Sequence, residues 1–174
     1  MLQYYSTYKT LQEFFDFPRK SFQLRELSRN INLAQVSVMN HVNKLVKEGL
    51  IVREEKGIYP SYRANRENEE FKLLKKQNII LRLHKIGFIK HVDEKIKPNC
   101  IVLFGSAARG EDTENSDLDM FIQAAVVDLK LGEYEELLKR KINILFEHNL
   151  KDISRELLNN IINGEILYGY LKVF

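Results

Sequence analysis

The sequence is poor in cysteine, in long apolar runs and in repeated or low-complexity segments. Cys100 is the only cysteine among 174 residues, so a disulfide framework and a thiolate metal site are both excluded. Because Cys100 begins an apolar run, we expect it in the core. No run reaches the roughly 18 apolar residues that a membrane span needs, and the N-terminus lacks the basic-then-apolar order of a signal peptide. We therefore expect a cytoplasmic protein without a membrane partner.

What is present is an ordinary soluble composition, 44% hydrophobic and 29% charged, with an uneven charge distribution. Residues 1–97 carry 19 Lys or Arg against 11 Asp or Glu, whereas residues 98–174 carry 8 against 13. The two parts therefore have net charges of +8 and −5. A basic part joined to an acidic part indicates a nucleic-acid binder attached to a cation-binding module, with a merely solvated basic face as the alternative.

The stretch from Cys100 to Ile122 combines a turn with two closely spaced carboxylates. Apolar residues 101–104 predict a strand that ends at Gly105-Ser106, where backbone N–H groups and the Ser106 hydroxyl can hold phosphate oxygens. Asp117 lies just before a second predicted strand and Asp119 lies within it. Because residues two apart in a strand face the same side, both carboxylates would lie on one face, with roughly 6 to 7 Å between the two residues. Mg²⁺ is commonly bound by one or two carboxylates plus substrate phosphates. The sequence therefore predicts a joint phosphate and magnesium site.

The run Gly105-Ser106-Ala107-Ala108-Arg109-Gly110, followed by Ser116-Asp117-Leu118-Asp119, resembles the motif of minimal nucleotidyltransferases of the polymerase-β type. The resemblance spans about residues 98–174. It implies transfer of a nucleoside monophosphate from a nucleoside triphosphate to an acceptor, with Mg²⁺ or Mn²⁺ on the catalytic residues Asp117 and Asp119. It also implies that the nucleotide phosphates are bound by Gly105, Ser106, Arg109 and Ser116. An Asp-rich surface hairpin is the alternative.

The resemblance further implies a third carboxylate on a later strand, which would accept the proton of the nucleophile. The predicted strand 141–147 has Asn143 at that position, and an amide is neither basic nor charged. Glu147 lies on the same predicted face about 13 Å away, so it replaces Asn143 only if the strand bends. Two functions stay open: a nucleotidyltransferase, and a DNA-binding regulator whose degenerate transferase domain senses nucleotide without turnover.

Residues 1–66 predict three helices and a hairpin. The helices are expected over 2–16, 22–30 and 34–48, and the hairpin passes through Lys56-Gly57. This order resembles the winged helix-turn-helix of transcription regulators and implies contact with duplex DNA, with a protein-interaction module as the alternative. His41 is predicted to face solvent. The residues expected to contact DNA lie on the third helix and the wing: Gln35, Ser37, Asn40, His41, Lys44, Arg53, Lys56 and Arg63.

The predicted fold class is α+β, with a winged helix-turn-helix over 1–66, a long connecting helix over 67–97 and a mixed-sheet nucleotidyltransferase domain over 98–174. The connecting helix, bent near Gly87, has an apolar stripe that predicts either a homodimer contact or packing on its own domains. That stripe consists of Phe71, Leu74, Leu81 and Phe88. The remaining strands are expected over 100–104, 118–124 and 141–147, with helices over 129–140 and 150–163.

Overall fold

The computed structural model describes residues 6–55 and 57–172. The chain divides into two compact units, an N-terminal unit, Met1–Lys75, and a C-terminal unit, Lys76–Phe174. Among the described residues, none of the helices is both long and apolar enough to span a membrane. The division into 1–66, 67–97 and 98–174 stays a prediction.

The N-terminal unit contains three helices followed by a two-stranded antiparallel hairpin, in which Ile51 pairs with Ala64 and Glu54 with Ser61. A β-bridge from Phe22 to Tyr62 ties the segment before the second helix to the hairpin. Residues 2–5 of the first predicted helix lie outside the described residues. The elements are α1 Ser6–Asp16, α2 Leu24–Ile31, α3 Gln35–Lys47, β1 Ile51–Glu54 and β2 Ser61–Ala64.

The N-terminal core forms where the apolar stripes of the three helices meet the hairpin. Phe14, Phe15 and Phe22 are fully buried or nearly so, and the Phe14 and Phe22 rings meet edge to face with centroids 5.3 Å apart. Leu27 of α2 and Val38 of α3 complete the same cluster. The helical spacing of Phe14, Leu27 and Val38 with their apolar neighbours places them on the inner faces of α1, α2 and α3, which is why the sequence pattern located these helices. Phe22, predicted to begin the second helix, lies before α2 in the β-bridge.

The C-terminal unit is built on a four-stranded sheet with the order β5-β4-β3-β6. β3 is antiparallel to β4 and β6, whereas β4 and β5 are parallel, so the predicted α+β class with a mixed sheet is confirmed. The connecting segment is two helices separated at Gly87. Helix α4, Glu69–Lys85, begins in the N-terminal unit and ends in the C-terminal unit. The elements within the C-terminal unit are α5 Phe88–Ile96, β3 Cys100–Phe104, α6 Gly105–Ala108, β4 Leu118–Ile122, α7 Gly132–Leu138, β5 Ile142–Phe146, α8 Arg155–Ile162 and β6 Glu165–Gly169.

Helices cover both faces of this sheet, which explains why β3 is apolar without alternation. Ile101 and Leu103 pack with Phe88 of α5 on one face, and Cys100 and Val102 pack toward α8 on the other. Cys100 is fully buried, as expected from its place in the sequence, and burial raises the pKa of its thiol to about 11. Since the reactive species of cysteine is the thiolate, Cys100 is a core residue and not a nucleophile.

The sequence pattern missed one strand and misplaced one helix. In place of the predicted helix 150–163, the structure has a short 3-10 turn, Leu150–Asp152, followed by α8. Helix α8 begins only after Ser154, because the Ser154 side chain caps it by accepting a hydrogen bond from the Leu157 N–H. β6 then pairs with β3, with Leu103 opposite Glu165. Strands β4 and β5 are also shorter than the predicted 118–124 and 141–147.

Gly164, at the start of β6, gives a test of this strand. A Cβ added there would lie 2.5 Å from the Leu103 carbonyl oxygen and 2.7 Å from Val102 Cγ1. We expect Gly164→Ala to lower the free energy of unfolding by about 1 to 3 kcal/mol, the usual cost of overpacking. Urea titration of the full chain measures this change.

Gly132→Ala is the matched control, because nothing lies within 4 Å of a Cβ added at Gly132. Equal stabilities of the two variants would contradict the close packing of Gly164 against β3.

Candidate active site

Two carboxylates lie at the edge where β4 and β5 begin. Asp119 is the second residue of β4 and is half-buried, and Asp117, one residue before the strand, is exposed. Because β4 and β5 are parallel, Asn143 of β5 is the register partner of Asp119. The Asn143 Nδ2 donates to Asp117 Oδ2 at 3.1 Å and to Asp119 Oδ1 at 3.3 Å. One amide nitrogen therefore bridges the two carboxylates.

The donor set fits a hard divalent cation. Carboxylate and amide oxygens are the ligands that Mg²⁺ and Mn²⁺ prefer, and a side-chain amide that turns around offers oxygen in place of nitrogen. The amide nitrogen of Asn143, a partly positive donor, contacts one oxygen of each carboxylate, as a shared cation would. Over the described ranges, no group of three or more His, Cys, Asp or Glu side chains could hold a metal ion. The site therefore consists of two carboxylates, those of Asp117 and Asp119, and one neutral side chain, that of Asn143.

The turn at Gly105 lies directly against Asp119. Phe104, the last residue of β3, is the register partner of Asp119. Gly105 has a φ of +72°, and a Cβ there would come within 2.7 Å of Asp119 Oδ2. Only glycine satisfies both the left-handed backbone and this close approach. The turn and the carboxylates predicted from separate parts of the motif are therefore brought together.

Two residues expected to bind nucleotide phosphates have contacts elsewhere. Arg109 Nε lies 2.8 Å from Glu111 Oε2, and both side chains are exposed. The Ser116 hydroxyl accepts a hydrogen bond from the Thr113 N–H at 2.9 Å and closes a turn just before Asp117. Their assignment to the nucleotide stays a prediction.

Glu147 does not replace Asn143. Its Oε1 accepts hydrogen bonds from the backbone N–H groups of His148 at 2.9 Å and Asn149 at 3.3 Å. This carboxylate therefore closes the turn after β5, at the other end of the strand from Asn143.

Sequence reasoning missed Arg140, which precedes β5. Its Nη1 donates to Asp112 Oδ2 at 2.9 Å, in an ion pair whose side chains keep only 8% and 9% of their exposure. Asp112 lies 28 residues earlier in the chain. At that separation no local pattern links the two residues, so only the fold could reveal the pair.

Some of the residues predicted to contact DNA are exposed, and others contact neighbouring side chains of the protein. Gln35, Asn40 and Lys44 of α3 are exposed, and Ser37 is half-buried. His41, predicted to face solvent, is half-buried, and its Nδ1 lies 2.9 Å from Thr7 Oγ1 of α1; its contact with DNA stays a prediction. Helical spacing could not show the contact between His41 and Thr7, since Thr7 belongs to another helix.

The hairpin arginines are paired with neighbouring glutamates. Arg53 Nε lies 2.7 Å from Glu55 Oε1, and Arg63 Nε lies 3.1 Å from Glu54 Oε1. Lys56 lies outside the described residues. The positive charge expected of the wing is thus partly offset within the hairpin itself.

Comparison with known proteins places the C-terminal half in a family. The model of the family described as "Polymerase beta, Nucleotidyltransferase" matches residues 87–171. Two relatives from Methanocaldococcus jannaschii each bear the name "Putative protein adenylyltransferase". One is 39% identical over 41% of this chain and 74% of its own length, and the other is 34% identical over 51% and 90%. A solved toxin–antitoxin structure, MntA–HpeT, is 22% identical over 55% of this chain and 73% of its own, with a TM-score of 0.37.

The family model and the two relatives define a class of enzyme, the nucleotidyltransferases, to which the predicted motif also pointed. The chain belongs to the polymerase beta nucleotidyltransferase family. The prediction of a polymerase-β-type nucleotidyltransferase domain is therefore confirmed.

The carboxylate pair yields a direct binding test. We expect Asp117→Ala combined with Asp119→Ala to abolish the Mg²⁺-dependent part of nucleoside triphosphate binding, because the amide of Asn143 alone carries no charge to hold the cation. Isothermal titration calorimetry of ATP with and without Mg²⁺ measures this loss.

The matched control is Glu133→Ala combined with Glu136→Ala, which removes two exposed carboxylates from α7. This control should bind Mg²⁺-ATP as the wild type does. Unchanged affinity in the Asp117 and Asp119 variant would remove these residues from the site.

Proposed function

We propose that the protein transfers a nucleoside monophosphate, AMP in the first instance, from a nucleoside triphosphate to a hydroxyl group of a protein acceptor. The observation that carries the proposal is the Asp117 and Asp119 pair bridged by the amide of Asn143 beside the Gly105 turn. The names of the relatives support AMP as the transferred group and protein as the acceptor.

In this reaction an acceptor oxygen forms a bond to the α-phosphorus of the triphosphate, and the bond from that phosphorus to the bridging oxygen breaks. Pyrophosphate leaves with the electron pair, and the acceptor hydroxyl loses its proton. Bound Mg²⁺ or Mn²⁺ supplies charge neutralisation for the phosphates. Asp117 and Asp119 would hold the cation, and the turn that begins at Gly105, next to Asp119, would bind the phosphates through its backbone N–H groups.

Asn143 determines how fast this reaction runs. A carboxylate at this position would add negative charge to the metal site and take the acceptor proton, and a positioned base alone commonly contributes about 10² to 10⁴-fold. The amide does neither, so the proton must pass to solvent. We therefore expect slow transfer by the wild-type protein.

The variant Asn143→Asp tests this account. We expect it to raise the rate of transfer at least about tenfold, which corresponds to roughly 1.4 kcal/mol of barrier. The assay follows label from each nucleoside triphosphate, radiolabelled at the α-phosphate, onto the protein itself, a cell extract or RNA, with Mg²⁺ or Mn²⁺.

Asn160→Asp, the same chemical change at an exposed position of α8, is the control and should leave the rate unchanged. Brisk transfer by the wild type would mean that another group serves as the base. No transfer by either protein, with Mg²⁺-dependent nucleotide binding intact, would favour the second candidate, a regulator that senses nucleotide without turnover.

A second part of the proposal is that the N-terminal unit is a winged helix-turn-helix that binds duplex DNA. Its support is the order of three helices and a hairpin, and the exposed polar residues Gln35, Asn40 and Lys44 on α3. The unit also carries 13 Lys or Arg against 9 Asp or Glu over residues 1–75, a net charge of +4. Exposed apolar side chains on the same helix, Val36 and Met39, favour the competing role of a protein-interaction module.

The DNA proposal predicts a salt-dependent affinity. Arg53→Ala combined with Lys56→Ala should weaken binding of the full chain to all duplex sequences, and should reduce the slope of log K against log salt by about 2, since each lost phosphate contact removes roughly one unit. Fluorescence anisotropy over a salt series measures the slope.

Lys90→Ala combined with Lys130→Ala, a charge-matched change at exposed positions of the C-terminal unit, should leave the slope unchanged. Absence of any salt-dependent affinity in the wild type would contradict DNA binding.

The homodimer through residues 67–97 and the cytoplasmic location stay predictions. Of the four residues in the predicted stripe, Phe71 and Phe88 are buried in the cores of their own units, Leu74 packs against the N-terminal core, and Leu81 is 41% exposed. This distribution favours packing on the chain's own domains as the main role of the stripe.

A further inference from the structure

A short loop of five residues, 112–116, leads into Asp117 and is held by one arginine. The Arg140 Nη1 donates to Asp112 Oδ2 at 2.9 Å, to the Thr113 carbonyl oxygen, and to the Ser116 carbonyl oxygen at 3.4 Å. These acceptors include both ends of the loop. A single guanidinium therefore fixes the path of the chain up to the residue before Asp117.

The loop is also closed on itself. The Ser116 N–H donates to the Thr113 carbonyl at 3.0 Å, and the Thr113 N–H donates to the Ser116 hydroxyl at 2.9 Å. The Arg140 and Asp112 side chains keep only 8% and 9% of their exposure. A charge-assisted pair that is shielded from water resists rearrangement, because its hydrogen bonds are stronger than neutral ones and water competes little for them.

Arg140 also lies two residues before β5, the strand that contains Asn143. The next residue, Lys141, accepts a backbone hydrogen bond from the Leu118 N–H at 2.8 Å, which starts the pairing of β4 with β5. Asp117 thus lies between two anchors, the loop bonded to Arg140 and the first backbone link between the strands. These anchors hold the backbone of Asp117, while its exposed carboxylate accepts a hydrogen bond from Asn143 Nδ2 at 3.1 Å.

We propose that Arg140 and Asp112 are positioning residues that hold Asp117 beside Asp119 and Asn143, and thereby set the affinity of the site for its divalent cation. The inference rests on the proposed function. Neither residue touches the reacting atoms in this account, and both act through the loop. A pair that served stability alone would change the melting temperature and leave the affinity for the cation unaltered.

The test compares Arg140→Lys with Arg82→Lys in the full chain. Arg82 Nη2 also donates to backbone carbonyl oxygens, those of Leu137 at 3.4 Å and Leu138 at 3.1 Å, but these belong to α7 and not to the loop before Asp117. Each substitution keeps the positive charge and removes the planar fork of donors. The measured quantities are the melting temperature, and the Kd for Mn²⁺ in the presence of ATP by electron paramagnetic resonance.

We expect Arg140→Lys to raise the Kd for Mn²⁺ about tenfold, the low end of the effect of residues that orient metal ligands. Excess Mn²⁺ should restore most of the transfer rate, because the reacting groups themselves are intact. Arg82→Lys should lower the melting temperature without changing the Kd. Asp112→Asn is the second variant, for use if Arg140→Lys does not fold, and should raise the Kd in the same direction.

Equal Mn²⁺ affinity in the wild type and in a folded Arg140→Lys or Asp112→Asn variant would overturn the positioning role while leaving the proposed function intact. A wild type that binds no Mn²⁺ with ATP would instead overturn the proposed function. The two failures are therefore distinguishable in one series of measurements.

Discussion

The C-terminal unit depends on holding two like charges side by side. Two like charges on neighbouring side chains repel each other, and the repulsion is stronger at the effective dielectric of a protein surface than in water. The amide of Asn143 offsets part of this repulsion by donating to Asp117 and Asp119 at 3.1 and 3.3 Å. Gly105 leaves room for the second carboxylate, and a cation bound between the two would relieve the repulsion fully.

A neutral third residue separates binding from catalysis in this site. In the proposed function, nucleotide binding requires the carboxylate pair and the turn, which the structure brings together. Rapid transfer also requires a group that takes the acceptor proton, which Asn143 cannot do. The two candidate functions therefore share one nucleotide site, and in that site they differ in whether the chemical step takes place.

Features encoded by neighbouring residues could be predicted from the sequence, and features encoded by distant contacts could not. The strand 100–104, the turn at Gly105 and the carboxylate pair follow from local patterns, and the structure brings the turn and the pair together. β6 was missed because only Leu167 among its five residues is buried, so the strand is defined by its pairing with β3. The pairing of His41 with Thr7, and of Arg140 with Asp112, joins separate elements that no periodicity connects.

The most direct test of the account is a crystal structure of the full chain with Mn²⁺ and a non-hydrolysable ATP analogue, with the cation located by anomalous scattering. The account predicts an anomalous peak in contact with both Asp117 and Asp119, phosphate oxygens beside the Gly105 turn, and the Asn143 amide no longer donating to both carboxylates. A structure in which Asn143 still bridges the two carboxylates, with the cation and nucleotide bound elsewhere, would contradict it.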